Sequence, residues 1–286
     1  MLRKMKNGEF EQYVDFAYGL ALKLPHSGFP VYTDGVKTKE DFISRSRMGL
    51  CREEEELLLF EYQGCVQGWI HYYDIREDRY LGVCSILIRD GYERALEELL
   101  EYWSTKFPEY TWSMYFPEEN KEALAFMKKR GYQDRGQEAV NVLLFENYSV
   151  KEESSSVIPV DVQNFDLFRK LHSSFEEGMY WTSDRIEAAI DHWGIFVFVE
   201  EESSRGALYY NRQTTRMLEI FGIDVHDEED APVIVEKLLI SCLNRAKEEH
   251  AESMYFFNER FPNEMMEELG FHYITTAHYF EEGSDR

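Results

Sequence analysis

The sequence predicts a mixed α/β (α+β) protein built as two tandem domains, each a mostly antiparallel sheet flanked by helices. Three observations lead there. A polar, Ser-rich stretch, Ser149-Val150-Lys151-Glu152-Glu153-Ser154-Ser155-Ser156, lacks apolar periodicity and divides the 286 residues into near-equal halves of ordinary domain size. The order helix, helix, strands, helix, strand, helix, strand reads twice along the chain. Ser113-Met114-Tyr115-Phe116 recurs as Ser253-Met254-Tyr255-Phe256. Each copy is followed by a helical stretch, a Gly-aromatic stop (Gly131-Tyr132, Gly270-Phe271) and an alternating run (Val140–Phe145, Thr276–Phe280). The expected division is residues 1–148, a linker over 149–160, and residues 161–286.

In the first half, Phe10, Val14, Ala17 and Leu20 recur near helical spacing and predict a helix over about 9–23, with a second over about 39–48. Strands are expected at about 56–62, 66–74 and 80–88, the first two joined by the turn Gln63-Gly64. Tyr92 to Lys106 places Leu96, Leu99, Leu100 and Trp103 on one face, which predicts an amphipathic helix. A strand at about 110–116 and a helix at about 120–130 complete the pattern. The second half repeats it: helices near 162–176 and 183–192, and strands near 195–200, 206–211 and 216–225. A helix near 232–249, a strand near 252–257, a helix near 262–269 and a strand near 272–281 follow.

The hydrophobic fraction of 44%, with 19 Tyr, 20 Phe and 5 Trp, is enough to fill two cores. No apolar run reaches membrane-span length, and the basic start lacks the apolar stretch of a signal peptide, so a cytoplasmic protein without a membrane partner is expected. Cys51, Cys65, Cys84 and Cys242 lie far apart without a CxxC pair and read as reduced, structural thiols. The net charge of −24 opposes nucleic acid and anionic lipid and favours a cationic acceptor. No metal site is expected: His272 and His278 share a strand face but lack a third ligand, and Glu53-Glu54-Glu55-Glu56 reads as a solvated loop end.

The segment Pro117 to Tyr132 resembles the C-terminal signature of GNAT acetyltransferases. Asn120, Ala123, Phe126 and Gly131 stand at that family's spacing, with Asn120 capping a helix and Gly131 ending it. The resemblance implies that this helix lines an acetyl-coenzyme A site, with Asn120 and Phe126 as contacts, and that the coenzyme wedges between two splayed central strands. It also implies an amine of a small molecule or peptide as acceptor, and the tandem architecture resembles that of mycothiol synthase.

The family's other landmark is a Gly-rich turn that lets a diphosphate sit on bare amides at a helix start. Both halves depart from it. The first reads Ile88-Arg89-Asp90-Gly91-Tyr92-Glu93-Arg94-Ala95, where Ile88, Arg89, Gly91, Arg94 and Ala95 are the expected coenzyme contacts. The second replaces the glycines by Ala231, Val233 and Val235 and sets Asp227, Glu228, Glu229 and Asp230 before them. Like charges 4 Å apart cost about 4 kcal/mol at an effective dielectric of 20, so these carboxylates oppose a diphosphate.

Amine acylation needs a base and is often helped by an acid. Glu219, in the apolar run Met217 to Val225, is the expected base, with burial lifting its carboxyl. It stands where histone-type GNAT enzymes carry a glutamate; Gly82 holds the corresponding place in the first half. The family's acid Tyr is replaced by Met127 and Met266, leaving Tyr132, with Tyr115, as the nearby alternative. The expectation is therefore an N-acetyltransferase using acetyl-CoA, with a non-catalytic binding or regulatory protein of the same fold as the alternative.

Overall fold

A computed structural model of the chain describes residues 1–212, 216–226 and 229–282. In chain order its first elements are β1 (Leu2–Lys4), α1 (Phe10–Ala21), α2 (Lys39–Cys51), β2 (Glu55–Tyr62), β3 (Cys65–Ile75), β4 (Tyr80–Ile88) and α3 (Tyr92–Lys106). Next come β5 (Thr111–Pro117), α4 (Lys121–Arg130), β6 (Gly136–Leu144), β7 (Val157–Pro159), α5 (Asp166–His172) and α6 (Ser183–Ala188). The chain continues with β8 (Trp193–Glu200), β9 (Ser203–Asn211), β10 (Met217–Val225), α7 (Ala231–Glu248), β11 (Ser253–Asn258), α8 (Asn263–Glu268) and β12 (His272–Glu282).

The chain forms two compact units, Met1–Glu138 together with Ile274 onward, and Ala139–Tyr273. Unit 1 orders its strands β1-β2-β3-β4-β5-β12, and unit 2 orders them β7-β8-β9-β10-β11-β6. In each, every neighbouring pair is antiparallel except the fourth, β4–β5 or β10–β11, which is parallel. The sheet is thus mixed and mostly antiparallel, as the sequence predicts.

The boundary expected at 149–160 does not coincide with the division between compact units. The two terminal strands are exchanged: β12 supplies Ala277–Glu282 to β5, and β6 supplies Ala139–Leu144 to β11. Both strands alternate apolar and polar residues, and that pattern specifies a sheet face without specifying a sheet. The Ser-rich stretch also runs into a strand, since Val157–Pro159 pairs with Val197 and its neighbours as the edge of unit 2. Leu2–Lys4 plays the same part on β2 in unit 1.

Each sheet buries both faces. In unit 1, Leu58, Phe60, Ile70 and Ile86 pack under α3 and α4, while Leu57, Leu59, Trp69 and Leu87 pack under α1 and α2. In unit 2, Leu218, Ile220, Leu238 and Leu239 fill the α7 side, and Trp193, Ile195, Tyr209 and Phe168 fill the α5–α6 side. Local caps agree with these elements. Thr38 accepts from the Asp41 amide and Asp41 from the Thr38 amide at the start of α2. Asn120 caps α4, and Gly131 closes it at φ 84°.

Candidate functional site

The place where the sequence leads one to expect coenzyme is the point at which the parallel pair of each unit parts. In unit 1 the β4–β5 pairing covers Tyr80↔Thr111 and Leu81↔Trp112. Beyond that point the chain inserts its own backbone. The Gly28 amide donates to the Ile86 carbonyl of β4 at 2.7 Å, and the Phe29 amide donates to the Tyr115 carbonyl of β5 at 3.0 Å. Ser27, fully buried, bridges to Leu87. A Cβ on Gly28 would stand 3.2 Å from the Tyr115 carbonyl oxygen and 3.4 Å from the Ile86 Cβ, so glycine is what lets the segment fit. The carbonyls that could receive a ligand's amides in this gap are already satisfied.

The residues expected to hold coenzyme gather around this insertion. Asn120 donates through Nδ2 to the Ser27 carbonyl. Ile88, Ala95 and Phe126 are buried in the surrounding core. Arg89 is exposed, with its Nε on Gln67 at 2.7 Å and its guanidinium over the Phe16 ring. Gly91 starts α3 at φ 77°, against the Tyr62 ring. In front of it opens a groove of about 650 Å³ whose lining includes Arg94 and the carboxylates of Glu93, Glu97, Glu98, Glu101 and Glu122. Arg94 is already paired with Glu98 at 2.9 Å. Glu93 and Glu97 are in turn paired with Lys129 and Arg130, so the cations at the groove are committed to its own carboxylates.

Unit 2 parts in the same place but differently. β10 and β11 pair from Met217↔Ser253 to Ile220↔Phe256. β10 then bulges at Phe221 and continues along β9 to Val225. Among the described residues there is no counterpart of the Ser27–Phe29 insertion: residues 173–182 close on themselves through Met179 N to Glu176 O and Thr182 N to Tyr180 O.

The turn into α7 is poor in donors. Pro232 has no N–H, and the Val233 and Ile234 amides both reach the Asp230 carbonyl. Asp230 is drawn to Arg205 at 3.2 Å; Asp227 and Glu228 lie outside the described residues. A cation is nonetheless placed at the junction, since exposed Arg260 donates through Nη2 to the Val225 carbonyl at 3.2 Å.

Glu219 is exposed rather than buried. Its neighbours Leu218 and Ile220 point into the α7 core, so strand alternation turns Glu219 to the α5–α6 side, where cover is incomplete. Tyr132 sits in the other unit, half-buried edge-on against Trp112 at 5.1 Å, and burial raises its hydroxyl above the ordinary value. Met127 and Met266 are core residues.

The sequence reading missed a buried pair further along the strand that carries Glu219. His172 Nδ1 lies 2.6 Å from Asp224 Oδ2, and its Nε2 lies 3.0 Å from the Trp181 carbonyl. Both ring nitrogens face acceptors. Burial lifts the Asp224 carboxyl, while for His172 it opposes the cation and is outweighed by Asp224 and the Trp181 carbonyl. Both shifts go upward, so the pair keeps its proton to a higher pH than either group alone. An Asp ending an apolar strand, with a His closing a helix, was the available signal.

Glu55 and Glu56 are also buried, against the expected loop end, because β2 begins at Glu55 and sends the two side chains to opposite faces. Glu56 accepts from Tyr72 and Tyr102 at 2.5 Å and from Lys106 at 2.8 Å. Burial would raise its carboxyl, but these bonds hold it down at about 2. Glu55, His71 and Cys84 place three potential metal-ligand atoms within 4.8 Å of one another. The Arg45 guanidinium stands among them, 2.6 Å from Glu55 and 2.8 Å from Cys84, and supplies the positive charge there. All four cysteines are free thiols. His278 pairs with Asp134 at 2.7 Å, and His272 is exposed.

Among the described residues no helix is long and apolar enough to cross a membrane. No protein-family model matches the chain, and no curated protein sequence matches it. Solved structures do. A GCN5-related N-acetyltransferase from Sphaerobacter thermophilus superposes with a TM-score of 0.64 at 13% identity, over 99% of this chain and 95% of its own. A tandem GNAT protein from the clavulanic acid biosynthesis pathway gives 0.57 at 13% identity, over 100% and 99%. A putative acetyltransferase from Pyrococcus horikoshii gives 0.52 at 13% identity, over 100% and 89%. The chain therefore has the GNAT fold in tandem.

Proposed function

We propose that the protein is an N-acyltransferase that moves an acetyl group from acetyl-coenzyme A to an amine, and that the reaction takes place in unit 2. The observation that carries this reading is the contrast between the two central gaps. That of unit 1 holds Ser27–Phe29, whereas β10 and β11 part beside an exposed carboxylate, Glu219. The coenzyme contributes the activated acyl thioester. Arg260 would hold its diphosphate in place of glycine amides, and the edge of β10 beyond Ile220 would hold its amide-bearing arm.

Glu219 binds the acceptor ammonium from the α5–α6 side and takes a proton from it, through water where the carboxylate does not reach. The net change forms one N–C bond and breaks one C–S bond; of the two protons the ammonium loses, the one taken by Glu219 passes to solvent and the second is balanced by the proton gained on sulfur. With no tyrosine at the acid position, solvent delivers that proton, and positioning supplies most of the acceleration. Unit 1 then serves as a scaffold.

A second reading, a non-catalytic binding protein, is favoured by Pro232 and by the lost glycines. Glu219→Gln in the intact chain separates the two. Amine acetylation that falls at least tenfold with acetyl-coenzyme A binding retained supports transfer. No acetylation of a panel of amines, and no heat with millimolar acetyl-coenzyme A, supports the second reading.

A further inference from the structure

We infer that the acceptor is a primary amine carrying an aromatic ring, an inference that rests on the assignment of acyl transfer to unit 2. Strand register aligns Trp193, Asn211, Glu219 and Tyr255 in one row across β8, β9, β10 and β11, and directly paired residues share a face. Glu219 is therefore a carboxylate between Asn211 and Tyr255, with Trp193 on the strand beyond Asn211, on the side remote from α7.

The bulge adds a further ring. Phe221 is the extra residue between Ile220 and Gly222, and it remains 45% exposed although it touches Trp193 at 5.4 Å and Trp181 at 6.4 Å between centroids. Trp181 and Trp193 meet edge-on at 5.1 Å. The three rings touch one another in a cluster whose most exposed member, Phe221, is on the same strand as the carboxylate. The cluster is anchored, because the Trp181 carbonyl is bonded to His172, which is bonded to Asp224 of β10.

This arrangement selects on two counts. Two residues along a strand span about 7 Å, a separation that an arylethylamine bridges with its ammonium at one side chain and its ring at the other. The ammonium meets Glu219 while the ring meets Phe221 and Trp181 in edge-to-face contact. An aliphatic amine satisfies the carboxylate and leaves the rings wet. A neutral aromatic alcohol does the reverse. The net charge of −24 draws cations of every kind and does not choose among them.

The test uses the intact chain and direct binding, read by tryptophan fluorescence and calorimetry, with phenethylamine, n-hexylamine, spermidine and phenethyl alcohol as probes. Phenethylamine is expected to bind at least tenfold more tightly than each of the others. Phe221→Ala should remove most of that preference by weakening phenethylamine, with hexylamine binding unchanged. Equal or tighter binding of hexylamine or spermidine to the unaltered chain overturns the inference, and that comparison needs no variant to fold. Absence of a ring preference in the unaltered chain with coenzyme binding intact sinks this inference alone. A ring preference without any coenzyme binding supports the aromatic site and sinks the transfer reading instead.

Discussion

The Asn120 side-chain amide donates to the backbone carbonyl of Ser27 at 2.9 Å, while its carbonyl oxygen accepts from the Ala123 amide at 3.1 Å. One residue thus caps α4 and anchors the segment that fills the central gap of unit 1. Asn120→Ala removes both functions. The lost cap costs about 1 kcal/mol, and the Ser27 carbonyl left buried without its donor costs about 1–3 kcal/mol more. Asn120→Ser retains a capping oxygen and loses the amide donor. Urea denaturation of the two variants should therefore give different losses, with Ala the larger.

Gly28 has no room for a branched side chain between Ile86 and Tyr115. Gly28→Val is expected to destabilise the protein by at least about 2 kcal/mol, through overpacking of a fitted backbone. Acetyl-coenzyme A affinity should not change, because the coenzyme is assigned to unit 2. Isothermal titration of this variant checks both units at once: a gain in affinity would mean that Ser27–Phe29 is a displaceable plug and that unit 1 can bind.

The two buried histidines should respond to pH in opposite senses. His172 lies above its ordinary value of 6.5, so its contribution is complete below that value and is lost as pH rises through the raised one. His71 is lowered to about 4, by burial first and then by Arg45, against the pull of Glu55. The unfolded chain binds the proton between 4 and 6.5, so the contribution of His71 is complete above 6.5 and falls as pH drops toward 4. Stability measured in urea from pH 4 to 9 should lose its alkaline slope in His172→Gln and part of its acid slope in His71→Gln. Parallel curves for the unaltered chain and both variants would contradict the assignment.

Glu56 anchors two tyrosines and Lys106 under α3, with Lys4 at 3.1 Å on its other oxygen. Removing one member of a buried charge network leaves the partners uncompensated, so Glu56→Gln should cost about 3 kcal/mol. Its carboxyl is held at about 2, so the contribution is complete above 4.5 and lost as pH falls between 4.5 and 2. The difference between the variant and the unaltered chain should shrink over that window.

Elements with strong local signals were legible in the sequence. Tyr92–Lys106 is the helix its apolar stripe predicts, and Asn120 and Gly131 bound α4 as their residue types require. The exchange of β6 and β12 was not legible, because two similar alternating runs fit either sheet equally well. Nor was the burial of Glu55 and Glu56, which depends on partners such as Arg45, Tyr102 and Lys106, 10 to 50 positions away. At the candidate site, Glu219 was singled out by its place in β10, yet its exposure follows from cover on the α5–α6 side. The insertion of Ser27–Phe29 consists of backbone bonds from residues without a motif, which no side-chain pattern announces.

The central claim is that acetyl-coenzyme A enters the gap of unit 2 and not that of unit 1. Amide hydrogen exchange on the intact chain, with and without saturating acetyl-coenzyme A, addresses it directly. Protection is expected along Phe221–Val225 and around Arg260, with exchange in Ile86–Ala95 unchanged. Protection confined to Ile86–Ala95, or to no segment, would contradict it.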